Sequence, residues 1–328
     1  MKYCFILNPA AGKGRNLEDL ERKIQAACCE KGVDFEIHHT VGKGDAKEYV
    51  KRTVALQPLE QYRFYACGGD GTLCEVVNGA METENSARVA VGVIPTGTGN
   101  DFVRNFTYSE NFLNMDAQLA ASDEPIDLLF CGDFYAINMI NIGFDCEVVC
   151  KTASLKKRSW IPSKFAYVAG LVITLIKKPG MKASISKDGQ PFQHHHYLLS
   201  TFANGAFCGG GFHSNPKGSL NDKAVDSLFV NNISRIKFLS IVKHYKNGTH
   251  LSPKYESIIQ NQKLSRVDLT FDHETNISVD GEIFSVRELR IEPRCQALRF
   301  LIPQGSRMIG DKSDNDTILH AVPLHEGE

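Results

Sequence analysis

Three glycine-rich segments, "NPAAGKG" (8–14), "GGDGT" (68–72) and "PTGTGND" (95–101), each follow directly on an apolar run that reads as a strand: "YCFIL" (3–7), "YRFYAC" (62–67) and "VAVGVI" (89–94). Helical patterns lie between them. Leu17, Leu20, Ile24 and Ala27 fall on one helical face, and Leu73, Val76, Val77 and Ala80 on another. Tyr49, Val50 and Val54 mark a further helix, for which Asp45 is the expected N-cap and Glu48 its capping-box partner. The run "VDFEIHH" (33–39) alternates, with Val33, Phe35 and Ile37 on one face. Strands separated by such helices run parallel, because the chain must cross back over the sheet before the next strand begins. Loops after parallel strands share the carboxyl edge, where ligands of such sheets bind. Segments far apart in sequence are therefore expected in one crevice.

Glycine lets a backbone approach a phosphate closely, and N–H groups of the turn and following helix can then bond it. Lys13 adds positive charge; Thr72, Thr98 and Asn100 add polar contacts. One loop of this kind is usually no more than a tight connection. Three on one edge, each with Thr, Lys or Asn beside the glycine, point to a phosphate-bearing ligand. Neither GxxxxGK[ST] nor GxGxxG follows the first strand, so a P-loop NTPase or a dinucleotide dehydrogenase is not supported.

Near Pro125 the rhythm changes to antiparallel β. Hairpins are expected over 126–142, turning at Gly132-Asp133, over 181–202, turning at Asp188-Gly189, and over 275–286, with Asp280-Gly281 at or beside the turn. Helical stretches are expected near 146–156, 163–178 and 235–247. The reading is an α/β N-terminal domain with a parallel sheet (1–125, with a return segment 291–310) and a mostly antiparallel β-sandwich domain (126–290). Residues 311–328 read as a polar tail.

A chain of 328 residues favours two domains over one core. With 37 basic against 38 acidic residues there is no basic excess of the kind nucleic-acid binders carry. The ten cysteines are scattered, with no CxxC, and the first apolar run stops at Asn8-Pro9, too short for a signal peptide. Reduced thiols and a cytoplasmic location are expected, with peripheral contact at the inner membrane face left open. The apolar stretch Phe165–Ile176 falls short of the roughly 20 residues that span a bilayer. The run "LKKRSW" (155–160) could meet anionic headgroups, with Trp160 at the interface, although a solvated basic loop is the commoner meaning. His194, His195 and His196 alternate faces in a strand and cannot jointly hold one metal. Phe202, Phe207 and Phe212, around Gly209–Gly211, could line an acyl pocket or be ordinary core. A homodimer is neither implied nor excluded.

"ILNPAAGKGR", "GGDGTLCEVVNG" (68–79) and "GVIPTGTGNDFVRNF" (92–106), followed in order by "ANGAFCGGGF" (203–212), "LNDKAVD" (220–226) and "SVDGE" (278–282), resemble the diacylglycerol kinase catalytic-domain family, above all its bacterial soluble lipid kinases. The resemblance implies an ATP-dependent lipid kinase with Mg²⁺, acting on a lipid at a membrane surface, diacylglycerol before a sphingoid, ceramide or glycerophospholipid. It implies that Asn8, Pro9, Ala10, Ala11, Gly12, Thr40, Gly69, Asp70, Gly71, Thr72, Leu73, Cys74, Glu75 and Thr98 bind ATP; the loop chemistry adds Lys13, Gly68 and Asn100. Asp280 and Glu282 match the family's acidic catalytic position, one of them acting as general base. Asp70 would meet magnesium-bound phosphate or brace its turn, and Asp222 matches a structural Mg²⁺ position. Two departures stand out: Cys74 where many relatives have Asn, and Lys223 where the family has Gly. The rival readings are an NAD kinase-like enzyme sharing the GGDGT loop and a non-catalytic nucleotide-binding regulator. The second is disfavoured by retention of both acids.

Overall fold

The computed structural model describes residues 1–14, 17–144, 146–148, 151 and 180–310. The expected helix over 163–178, most of that over 146–156, the run 155–160 with Trp160 and the tail 311–328 lie outside the described residues.

The first half is a parallel sheet covered on both faces. Strands β1 (Lys2–Leu7), β2 (Phe35–His39), β3 (Tyr62–Gly68) and β4 (Val89–Pro95) lie in the order β2-β1-β3-β4, every pair parallel. Helices α1 (Leu17–Lys31), α2 (Asp45–Leu56), α3 (Asp70–Met81) and the short α4 (Met115–Leu119) connect or flank them. Alternation along β1 divides the core. Tyr3, Phe5 and Leu7 pack toward Ile24 and Cys28 of α1, whereas Cys4 and Ile6 pack toward Tyr49, Val50, Val76 and Val77 of α2 and α3. Burying both faces is why β1, β3 and β4 read as nearly continuous apolar runs, whereas the edge strand β2 alternates.

The start of α2 corrects one expectation. Asp45 is not the N-cap; Gly44 is, in a left-handed conformation without a side-chain cap. The Asp45 carboxylate instead accepts from Val41 N at 3.0 Å and pairs with His38 Nε2 at 2.9 Å. The orphan Gly44 N–H donates to Glu75 Oε1 of α3 at 2.8 Å, so a residue of the "GGDGT" helix does the capping. The helices α2 and α3 also meet closely at Gly79, where an added Cβ would sit 2.7 Å from Lys47 O. Gly79→Ala is expected to cost about 1–3 kcal/mol through overpacking, read as a lower urea midpoint at unchanged slope.

The second half is mainly antiparallel. The hairpin β5 (Ser122–Cys131) to β6 (Phe134–Ala136) turns at Gly132-Asp133 as expected. The next strand, β7 (Met139–Gly143), leaves it to pair with later elements. Strands β8 (Met181–Lys187) and β9 (Gln193–Ala203) form the second hairpin across Asp188-Gly189, both with positive φ. Then come β10 (Val225–Asn231), helix α5 (Arg235–Lys246), β11 (Ile259–Leu264), β12 (Val267–Val279) and β13 (Glu282–Ile302). The long strands β9 and β12 each pair with β7 along one part and β8 along another, closing a sandwich around Phe229, Leu269 and Ile277. Phe202, considered above for an acyl pocket, belongs to this core and is fully buried.

Strand β13 joins the halves. It pairs antiparallel with β12 and then β5, and its end pairs parallel with β4 (Arg299↔Ala90, Phe300↔Val91). β5 itself crosses residues 125 and 126. Hydrogen bonding is therefore continuous from β2 to β11.

Candidate active site

The three glycine segments are in contact. Asn8 N bonds Cys67 O at 3.0 Å, and the Asn8 side chain donates to Thr72 Oγ1 at 2.9 Å. Thr96 N and Gly97 N both donate to Gly68 O, at 2.9 and 3.2 Å. The fit leaves no room for side chains. A Cβ on Gly12 would lie 2.6 Å from Thr96 O, and one on Gly97 would lie 2.5 Å from Gly69 Cα. At Gly12 the positive φ of 55° is a second reason for glycine.

Several expected nucleotide contacts have other partners in this structure. Thr72 is buried, and its hydroxyl braces the first loop. Asn100, at a φ of 50°, donates to Gly97 O at 2.9 Å and so holds the third loop's shape. Leu73 is in the core, and Cys74 is buried with Asn78 bonded to its carbonyl, burial pushing its thiol well above the usual range. Asn78 also bonds the Tyr135 backbone at both N and O, each at 2.9 Å, tying α3 to the second half. Pro9, Ala10 and Thr98 are exposed at the loop tips, with Ala11 and Lys13 in a 3-10 turn, and Thr40 N bonds Leu7 O beside them. The N-terminus of α3, with Asp70 and Gly71, opens toward the same crevice. An added Cβ on Gly71 would lie 3.5 Å from Glu282 Oε1.

The acids from the second half meet this edge. Asp280 and Gly281, at φ values of 48° and 91°, form the two-residue turn between β12 and β13. The Asp280 carboxylate does more than shape the turn. Its Oδ1 accepts from Asn138 N (3.0 Å) and Met139 N (2.8 Å), and its Oδ2 from Ile137 N (2.7 Å). Burial pushes this carboxyl up to about 6, against the pull of those three donors and with a small added push from Asp70. Glu282 is ion-paired with Lys43, from the loop before α2. That pairing spans 239 residues of sequence and carries no local signal.

Asp101 is the residue that sequence reasoning passed over, although it closes the third glycine motif. Its carboxylate accepts from Gly210 N (2.8 Å) and Gly211 N (2.7 Å), joining the third loop to the glycine run of the sandwich. Asp70 is nearby, accepting from Asp101 N and Phe102 N at 3.1 Å each. Burial first, and the Asp70 charge second, hold the Asp101 carboxyl above its usual range. A Cβ on Gly99 would lie 3.2 Å from Asp70 Oδ2 and 3.8 Å from Asp101 Oδ2, so both carboxylates border one small space. Four backbone N–H groups and the Arg104 guanidinium, with Nε 3.5 Å from Asp101 Oδ1, already meet these carboxylates, and the lone pairs left would suit a magnesium ion that keeps waters and phosphate as its other ligands. The surroundings of Asp222 fit a resident ion less well. The Lys263 ammonium already pairs with its carboxylate and lies 3.7 Å from Asp226.

Asp70, Asp101 and Asp280 all line one cavity of about 190 Å³. Most of the rest of its wall is apolar, with Phe144 and Val148, Phe212 beside the Gly209–Gly211 run, and Phe238, Val242 and Tyr245 of α5, while Asn138, Asn141 and Ser278 are further polar positions in it. Phe207 stacks on His213 at 4.4 Å and is not part of that wall.

Glycine turns on a parallel edge, facing an acid-bearing β-sandwich turn, define a two-lobed kinase fold of the diacylglycerol kinase and NAD kinase kind. Residues 2–131 match the family model of the diacylglycerol kinase catalytic domain, and residues 138–302 match that of the YegS C-terminal NAD kinase beta sandwich-like domain. The chain is 29% identical to a Bacillus subtilis diacylglycerol kinase, covering 85% of this chain and 88% of that one. It is 27% identical to a Klebsiella pneumoniae protein named "Probable lipid kinase YegS-like", over 91% and 95% of the two chains. A crystal structure of a diacylglycerol kinase from Bacillus anthracis superposes with a TM-score of 0.69 at 22% identity, covering 92% and 97%. The chain belongs to the diacylglycerol kinase catalytic-domain family, the lipid kinases with a YegS-type second domain. No helix among the described residues is long and apolar enough to cross a membrane.

Proposed function

We propose that the protein transfers the γ-phosphoryl group of ATP to the hydroxyl of a membrane lipid, with diacylglycerol as the preferred acceptor and phosphatidic acid as product. The observation that carries this reading is the shared wall. Asp70 and Asp280 both line the mostly apolar cavity, and Asp70 opens the helix that follows the second glycine loop.

Phosphoryl transfer asks a protein mainly to align donor and acceptor, neutralise phosphate charge and take a proton. In this reading the backbone of the three glycine loops holds the phosphates, assisted by the N-terminus of α3. Asp70 and Asp101 would hold Mg²⁺, which when bound neutralises charge on the phosphates. Asp280 takes the acceptor proton. Its Oδ1 already accepts two N–H groups and its Oδ2 one, so Oδ2 keeps a lone pair free, and Asp280 lines the cavity. A carboxyl near 6 is ionised at neutral pH and basic enough to be a useful proton acceptor. Glu282, tied to Lys43, positions the two halves across the crevice.

The mostly apolar wall, with Phe144, Val148, Phe212, Phe238 and Val242, favours a lipid chain over the polar body of a soluble nucleotide. Labelled ATP offered with diacylglycerol, sphingoid, ceramide and glycerophospholipid in mixed micelles, and with NAD in solution, tests the reading. Diacylglycerol is expected to be labelled fastest. Label on NAD and on no lipid would refute it.

A further inference from the structure

Helix α5 has two opposite faces, and only the inner one belongs to the cavity. Phe238, Ile241 and Tyr245 are buried, and Phe238, Val242 and Tyr245 wall the cavity. The outer face carries Ile236, 82% exposed, and Leu239, 55% exposed. These are three residues apart and so lie side by side on the helix surface. Exposed apolar residues scattered singly need no explanation. Here the pair is set among Arg235, Lys237, Lys243 and Lys246, all exposed, and α5 contains no Asp or Glu. Net charge near zero for the whole chain makes an all-basic helix a local choice rather than a reflection of composition.

We propose that α5 is the surface by which this protein lies on an anionic lipid bilayer, with Ile236 and Leu239 entering the acyl boundary and Lys237 and Lys243 meeting the headgroups. At 12 residues the helix is about 18 Å long, suited to lying in the interface and far too short to span it. Charge and apolarity are complementary to such a surface, and long lysine stems let the ammonium groups stay in water while the backbone approaches. The inner face of the same helix continues into the cavity, so a chain leaving the bilayer past α5 would meet Phe238 and Val242. The inference extends the lipid-kinase reading by naming the membrane-facing side of the acceptor site.

The test is co-sedimentation of the full chain with sucrose-loaded vesicles, without ATP, so that it does not depend on turnover. Vesicles of phosphatidylcholine alone are compared with vesicles that also contain phosphatidylglycerol. Wild type is expected to pellet with the anionic vesicles and much less with the neutral ones. Ile236→Ser with Leu239→Ser should lower the partition coefficient by about tenfold or more. Lys237→Glu with Lys243→Glu should lower it by about tenfold at low salt, and the difference should shrink in high salt. All four positions are exposed, and an unchanged thermal midpoint confirms that the variants are folded. Wild-type vesicle binding by both double variants overturns the proposal, as does a wild type that binds no anionic vesicle, which would leave a protein partner for this face. The kinase reading fails separately, if no acceptor is phosphorylated while vesicle binding behaves as described.

Discussion

Asp280→Asn is expected to slow phosphate transfer by about 10²–10⁴-fold, the usual loss when a positioned proton acceptor is removed. The amide cannot accept on both sides. One oxygen can satisfy Asn138 N and Met139 N, but an NH₂ then faces Ile137 N–H, now at 2.7 Å from an oxygen. The substitution should therefore also cost about 1–3 kcal/mol for an unsatisfied buried donor. Measuring the thermal midpoint and ATP binding beside the rate separates the two effects. The wild-type pH profile gives a second reading. A base whose carboxyl sits at about 6 is charged above that pH and protonated below it, so kcat/KM should be steady at neutral pH and fall tenfold per pH unit below about 6. That limb should vanish in Asp280→Asn. Full-rate transfer by a folded Asp280→Asn protein would remove Asp280 from the mechanism.

The second large effect is expected at Gly97→Ala. Its Cβ would meet Gly69 Cα at 2.5 Å and Gly69 N at 3.1 Å, and both are backbone atoms without a rotamer to yield. The second and third loops must part. A displacement on the order of 1 Å at a positioning loop can cost 10²-fold in rate. Gly42→Ala is the control, since nothing lies within 4 Å of its added Cβ and its φ is not positive. We expect Gly97→Ala to lose about 10²-fold in kcat/KM for ATP with near-normal secondary structure, and Gly42→Ala to behave as wild type. Equal kinetics for the two variants would mean that contact between the loops does not matter to the phosphates.

Much of this fold is legible before any coordinates, and the reason is local. The β1, β3 and β4 runs announce themselves through continuous apolar residues followed by glycine, and the Gly132-Asp133, Asp188-Gly189 and Asp280-Gly281 turns through residues that tolerate positive φ. What resisted reading depends on partners distant in sequence. Asp45 looks like a cap because its neighbours allow it, but the cap position falls one residue earlier, at Gly44, whose N–H is satisfied by Glu75, 31 residues further along the chain. Asp101 sits in a recognisable motif, yet its role appears only when Gly210 and Gly211 are brought to it from the sandwich. Position 74 invites comparison with relatives as a ligand contact, whereas here its side chain is buried. Strand β13 escaped notice as one element because Pro293 and several charged residues interrupt its apolar rhythm.

That strand has a practical consequence for dissecting the molecule. Since the last turn of the sandwich and the edge partner of β4 lie on one continuous ribbon, neither lobe is a free-standing module. A fragment ending after the catalytic-domain match would expose β4 as a raw border inviting intermolecular zippering. Any hinging between lobes must bend a hydrogen-bonded ladder rather than swing on a slack tether.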